Sequence, residues 1–172
     1  MNGSPAVWWG FLFFIETVGP FFRYVSMAST ILNATLTVVT TETVTLNGKV
    51  YGNSNTLTIA NINEVDQRIV EVTTTLATLL AFGTASAAGT FIRTDVKYLR
   101  ITNKDDTNFV MLKLIPSSDT PVWVKLEAGK SFELHYPYLE NNSTFSAFDS
   151  LTGISAQADT ATVPVEYFIA LS

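Results

Sequence analysis

The chain contains no cysteine, which removes disulfides, thiol nucleophiles and thiolate metal sites together. It has one histidine, His135. Mechanisms that need two imidazoles are therefore gone, and a hydrolytic triad would have to be built on that ring with a serine and a carboxylate. Charge is scarce as well. Asp, Glu, Lys and Arg make up 15% of the residues, where about a quarter is usual, while 47% are hydrophobic. Such a chain is neither disordered nor solvating. Its net charge of −5 argues against a nucleic-acid backbone as the main partner. Six prolines and nine glycines are too few for a collagen-like or linker-dominated protein. No phosphate-cradling loop, nucleophile elbow or zinc-binding helix motif occurs, and no repeat with a period of about 20–50 residues is present. These exclusions favour a structural or binding protein without a cofactor.

The 172 residues suffice for one ordinary domain and a short extra arm. Composition divides them at Met27. Ala6 to Ile15 is a ten-residue apolar run, Glu16 interrupts it, and Gly19-Pro20 punctuates before Phe21-Phe22-Arg23-Tyr24-Val25. Ten apolar residues reach only about 15 Å as a helix, half a hydrocarbon core, and continuing the run would bury a charge and a proline. Met1 to Pro5 carries no basic residue of the kind a signal peptide needs. Residues 1–26 are thus expected to be a hydrophobic N-terminal arm that contacts a neighbouring subunit through Trp8, Trp9, Phe11, Phe13, Phe14, Phe21 and Phe22. As an extended strand the run would span about 33 Å, enough to add to a neighbour's open sheet edge. The alternatives are a membrane-inserting or targeting segment, and an upstream extension of a protein that opens at Met27.

Residues 27–172 have an all-β texture. Fifteen of the 24 threonines lie between Thr30 and Thr90, and threonine suits a pleated surface better than a helix. Thr43 to Leu46 alternates, Asn47-Gly48 is a hairpin-turn signal and Lys49 to Tyr51 returns. Gly52 to Asn55 reads as another turn, Thr56 to Ile59 and Arg68 to Val72 as strands, and Gly83 to Gly89 as a loop of small residues. Thr74 to Phe82 fits a short helix as well as a strand. Lys97 to Thr102 and Phe109 to Ile115 flank the polar turn Asn103 to Asn108. Val122 to Leu126 and Ser131 to Tyr136 flank Glu127 to Lys130, and Val163 to Leu171 is the last strand. Many short strands with turns at this spacing predict an antiparallel β-sandwich or jelly roll with no helix longer than about three turns. The expected core is Leu57, Ile59, Val70, Val72, Leu99, Ile101, Val110, Leu112, Leu114, Val124, Leu126, Phe132, Leu134, Val165, Tyr167 and Ile169.

Candidate chemistry is thin. His135 shares a polar strand face with Glu133 and reads as a solvated histidine rather than a general base. Asp105 and Asp106, beside Asn103 and Asn108, offer oxygen ligands for calcium, but their spacing is not that of an EF-hand, and a hairpin turn is the plainer reading. Asn33-Ala34-Thr35 and the overlapping pair at Asn141 and Asn142 match the glycosylation pattern, which arises by chance in such a composition. Arg93, Lys97, Arg100 and Lys104 alternate with acids and read as a solvated sheet face. Trp123 reads as a core indole, with a sugar-stacking platform as the functional alternative.

The segments Tyr98 to Val110 and Trp123 to Phe132 resemble a β module found in virion proteins of tailed bacteriophages, notably marine ones. There a strand ending in Ile-Thr-Asn precedes a strand-turn-strand in which Leu, a small residue and Gly lead into a hydrophobic strand. The similarity covers roughly residues 95–136. It implies a structural subunit on the capsid or tail surface, located in the virion, often trimeric, and transfers no catalytic residue. The function expected is that of a non-enzymatic capsid decoration (cement) or minor capsid subunit, in contact with the major capsid protein or other virion subunits and with its own copies, not with nucleic acid or a membrane. The alternative is a receptor-binding or fibre-tip module that recognises host glycans.

Overall fold

Alternating apolar residues, rich in valine, isoleucine and threonine, pair into strands over nearly every stretch that the computed structural model describes, residues 32–117, 120–135 and 151–172. In chain order the strands are β1 (Ala34–Thr41), β2 (Val44–Leu46), β3 (Lys49–Tyr51), β4 (Ser54–Ile62), β5 (Glu64–Val72), β6 (Ala77–Gly83), β7 (Thr90–Ile92), β8 (Val96–Asn103), β9 (Val110–Pro116), β10 (Val122–Leu126), β11 (Ser131–His135), β12 (Leu151–Ala158) and β13 (Val163–Leu171). No helix occurs among the described residues. The hydrophobic arm expected over residues 1–26, with its seven aromatic contact residues, lies outside them.

Two antiparallel sheets form the sandwich. One has the order β11-β8-β13-β5, and the other β10-β9-β12-β6, extended at its end by the short parallel strand β7. The expected antiparallel sandwich is what forms. The final strand shows why. Val163, Val165, Tyr167, Ile169 and Leu171 all turn inward and are buried, while Pro164, Glu166 and Phe168 face out. They meet Leu80, Phe82, Leu112, Leu114, Ile154 and their neighbours from the opposite sheet in one continuous core. The side-chain period of two fixes which face each strand buries, so a one-residue slip in β13 would expose five apolar side chains at once.

Several local expectations are corrected. Thr74 to Phe82 is a strand at its C-terminal end, not a helix, because Leu80 and Phe82 are both needed on the same inner face of β6. The turns Asn103 to Asn108 and Glu127 to Lys130 do not close hairpins. Each carries the chain from one sheet to the other, since β8 and β11 pair together in one sheet while β9 and β10 pair in the other. Leu57 and Ile59 are not in the main core. With Leu36, Val38 and Ile62 they pack on Tyr98, Phe168 and Ala170, on the outer face of the β8–β13 pair.

Gly52 to Asn55 is likewise no turn. β1 pairs with β4 and β2 with β3, and Thr41 opposite Ser54 is followed by Val44 opposite Tyr51 in the same register. The Glu42 N–H donates to the Asn53 carbonyl between them, 2.9 Å away. Residues 34–62 are therefore one long β-ribbon. It reverses at Asn47-Gly48, where both residues have positive φ (51° and 77°), as a two-residue turn of the type that matches strand twist requires. Gly52 lets the ribbon continue past Glu42: its φ is +152°, and a Cβ there would collide with the Glu42 carbonyl oxygen. Only the base of the ribbon is held by the sandwich.

Candidate functional site: an open cleft and a projecting ribbon

The residues singled out for chemistry do not converge. His135 sits on the outer face of β11, its Nε2 3.0 Å from the Glu133 carboxylate and its ring 5.4 Å from that of Tyr98. No serine is bonded to it in the structure described. Arg100 donates to Glu166 at 2.6 Å, and Lys104 lies 4.0 Å from the same carboxylate. Lys97 bonds the Thr94 carbonyl. The basic residues are thus spent on local partners and form no stripe. Asn33 is exposed, while Asn141 and Asn142 lie outside the described residues.

Asp105 shapes its loop. One carboxylate oxygen accepts the backbone N–H groups of Thr107 (2.7 Å) and Asn108 (2.6 Å) and the Asn108 side-chain amide (3.4 Å). Those backbone bonds to Asn108 and Thr107 hold the Asp105 carboxyl below the usual carboxylate range. Asp106 accepts from the Thr107 hydroxyl. One oxygen each of Asp105 and Asp106 serves to close the turn, and among the described residues no cluster of three His, Asp or Glu is placed to hold a metal.

Trp123 is a correction. It is 46% exposed, on the outer face of β10, directly opposite Lys113, whose ammonium lies 5.4 Å from the ring centre. Val124 and Leu126 take the inner face instead.

The sequence did not single out one concavity of the described residues. At one side of the sandwich the sheets end in β5 and β7, and between them opens a cleft of about 510 Å³. Val70, Leu79 and Phe91 form apolar wall, and Asp66, Arg68 and Tyr167 form a polar floor. The floor is paired within itself. The Tyr167 hydroxyl donates to one Asp66 oxygen at 3.0 Å, and Arg68 Nε donates to the other at 3.0 Å. Burial, then the bond to Asp66, push the Tyr167 phenol up to about 12. β5 has no strand on its outer side. Its even-numbered residues, opposite Leu171, Ile169, Tyr167, Val165 and Val163, share the inner face, where Asp66 is largely covered while the Arg68 side chain stays exposed at the cleft mouth. On the other face Val65 and Ile69 are more than half exposed. The signal for this was a parity conflict: Val70 and Val72 lie on one face of the strand, Val65 and Ile69 on the other.

The second feature is the ribbon. Val44, Leu46 and Tyr51 share one face of its free end and Val50 lies on the other, each more than half exposed, and Lys49 is the one charged residue between Thr43 and Gly52. Exposed apolar side chains gathered in one place mark contact surfaces, whereas scattered ones do not.

No family model and no curated protein matches the chain. A solved structure of similar shape comes from work described as "Bacillus endospore appendages form a novel family of disulfide-linked pili". It is 13% identical, covers 63% of this chain and 87% of its own, and superposes with a TM-score of 0.39. A likeness so distant carries no argument about function. Disulfide linkage has no counterpart here, where cysteine is absent.

Proposed function

We propose that this chain is a non-enzymatic structural subunit that works by contact between subunits. The observation that carries the reading is apolar surface left uncovered on a single chain: the ribbon tip at Val44, Leu46, Val50 and Tyr51, and the open strand β5 with Val65 and Ile69. Closed assembly covers such surface and protects open sheet edges. A chain with few charges suits a protein that buries much of its surface between copies.

Within that class we favour a capsid decoration or minor capsid subunit of a tailed bacteriophage virion. The support is the resemblance of residues 98–110 and 123–132 to virion β modules. The apolar residues Trp8, Trp9, Phe11, Phe13, Phe14, Phe21 and Phe22 would then contribute intersubunit contacts, about 2–3 kcal/mol for each of the larger side chains before ordering costs are subtracted. A trimer is the assembly the resemblance favours, with the major capsid protein or another virion subunit as the second partner. The exposed Trp123 with Lys113 beside it favours a second reading, a fibre-tip module that stacks host sugars. Quantitative proteomics of purified particles separates the two. Decoration proteins occur in many copies per particle and fibre tips in few, and absence from particles contradicts both.

A further inference from the structure

β5 and β2 are both open edges: among the described residues, neither has a hydrogen-bonded neighbour on its second side. The two faces of β5 differ in kind. Val65, Gln67, Ile69 and Glu71 lie on the outer face, with Val65 and Ile69 more than half exposed. Asp66 and Arg68 lie on the cleft face, beside the hydroxyls of Ser86 and Thr90 and the apolar Leu79 and Phe91. The edge therefore favours an alternating strand. Apolar side chains suit its outer side, next to Val65 and Ile69. On the cleft side an uncharged polar residue suits better, because Asp66 is already bonded to Arg68 and Tyr167.

β2 alternates in that way. Val44 and Leu46 share one face of the ribbon and Thr45 takes the other. A threonine offers a methyl and a hydroxyl to a wall of mixed composition. Lys49 stands directly opposite Leu46 on the same face, and Glu71 closes the outer row of β5. Among the described residues neither has an ion-pair partner, so the two surfaces are complementary in charge as well as in pattern.

The ribbon does not reach its own β5. Val38 is the last residue of β1 that packs on the sandwich, and Leu46 lies eight residues further along, about 27 Å in an extended strand. The tip is left uncovered by its own chain. We infer that β2 of one copy adds as a strand to the open edge of β5 in a second copy of this chain. The inference rests on the structural-subunit reading above and names the two surfaces that meet. Main-chain bonds supply affinity, and the match of alternating faces supplies register. Each copy both gives a ribbon and receives one, so the contact repeats from copy to copy and closes into a ring where the rotation allows.

Cysteine is absent from the chain, so engineered pairs report without background in the full-length protein. The Ile69→Cys variant is co-expressed with a second version of different mass that carries Val44→Cys, Thr45→Cys or Leu46→Cys, and the purified mixture is oxidised. Adjacent strands lie about 4.8 Å apart, within disulfide range. A mixed disulfide is expected. Its yield at the better of Val44→Cys and Leu46→Cys should exceed that at Thr45→Cys at least about fivefold, because the Thr45 side chain faces the cleft. Replacing Ile69→Cys by Val122→Cys, exposed on the edge strand β10, should abolish the mixed product. Native mass of the wild-type protein separates the two levels of the account. Assembly with no mixed disulfide, with equal yields at the three ribbon positions, or with equal yields at Ile69 and Val122 overturns the contact of ribbon with β5 and leaves the subunit reading standing. A monomer with no mixed disulfide contradicts both.

Discussion

Asn103, at the end of β8 in one sheet, donates its side-chain amide to the carbonyl of Leu126, at the end of β10 in the other, 3.1 Å away. The same amide donates to the Asn108 carbonyl at 2.8 Å, and the Asn103 side-chain oxygen accepts the Asp105 N–H at 3.0 Å. Its backbone N–H donates to the Lys130 carbonyl. One fully buried polar residue therefore ties together the two loops that cross between sheets.

Asn103→Ala should cost about 2–4 kcal/mol of folding stability, since it leaves buried carbonyls and an N–H without partners. Asn103→Asp should be nearly as damaging, because it replaces both donated bonds with a carboxylate facing two carbonyls. Thr102→Ala, on the solvent side of the same strand, should stay within about 0.5 kcal/mol. Urea denaturation of the three variants checks the order, and equal midpoints would remove Asn103 from its role.

The Asp105 carboxyl is held below its ordinary value by the N–H groups of Asn108 and Thr107. A carboxyl depressed in the folded state adds stability at pH values above its unfolded value, about 4, and that contribution disappears as the pH falls through the lower folded value. Wild-type protein should therefore lose thermal stability on acidification below about pH 4. Asp105→Asn keeps an acceptor oxygen but no titrating group, so its melting temperature should fall less between neutral and acid conditions. Melting curves across that range decide, and parallel losses in the two proteins would count against the loop.

Tyr167 works with the opposite sign. Its phenol is pushed up to about 12 by burial and by its bond to Asp66, so the neutral form is the one the fold keeps. The contribution is complete below the unfolded value of about 10 and is lost as the pH rises toward 12. Burial, then the nearby Glu133, also raise Tyr98, so phenolate absorbance should show more than one tyrosine titrating late, and Tyr167→Phe should remove one tyrosine's share of the latest step. A late amplitude undiminished in Tyr167→Phe would assign that share elsewhere.

Gly52→Ala should release the ribbon tip without unfolding the sandwich. The added Cβ meets the Glu42 carbonyl oxygen at a φ that L residues rarely adopt. Amide exchange across Val44–Tyr51 should accelerate at least about tenfold, equivalent to about 1.4 kcal/mol of local stability, while core amides of β12 and β13 keep their rates. A uniform change across the protein would mean that the ribbon is part of the cooperative core.

The main architecture was legible because burial imposes a period of two. In β13 the odd-numbered residues from Val163 to Leu171 are all buried, and the inner face read from the sequence is the inner face observed. What could not be read was partner choice. Asn103-Lys104-Asp105-Asp106 has good turn chemistry, and turn chemistry fixes a change of direction but not whether the next strand returns beside the last or crosses to the opposite sheet. At Gly52-Asn53-Ser54-Asn55 the composition signals a reversal, yet pairing with Glu42 and Thr41 carries the strand straight on. Trp123 was misplaced for a related reason. Its parity against Leu126 was visible, but which parity faced the core depended on a second sheet. The cleft was hidden because its members, Asp66, Arg68, Leu79, Phe91 and Tyr167, come from four separate strands and meet only when both sheet edges are in place.

The central claim is that the chain acts through contacts between subunits. Sedimentation velocity of the full-length protein over a wide concentration range tests it most directly, alongside a variant in which Leu46 and Val50 at the ribbon tip and Ile69 on β5 are all replaced by serine. The account predicts a discrete oligomer for the wild type, a trimer in the favoured case, and dissociation toward monomer in a triple variant that retains its β-sheet circular dichroism. A wild-type protein that stays monomeric at the highest concentration it tolerates, or an oligomer unmoved by the triple substitution, would contradict it.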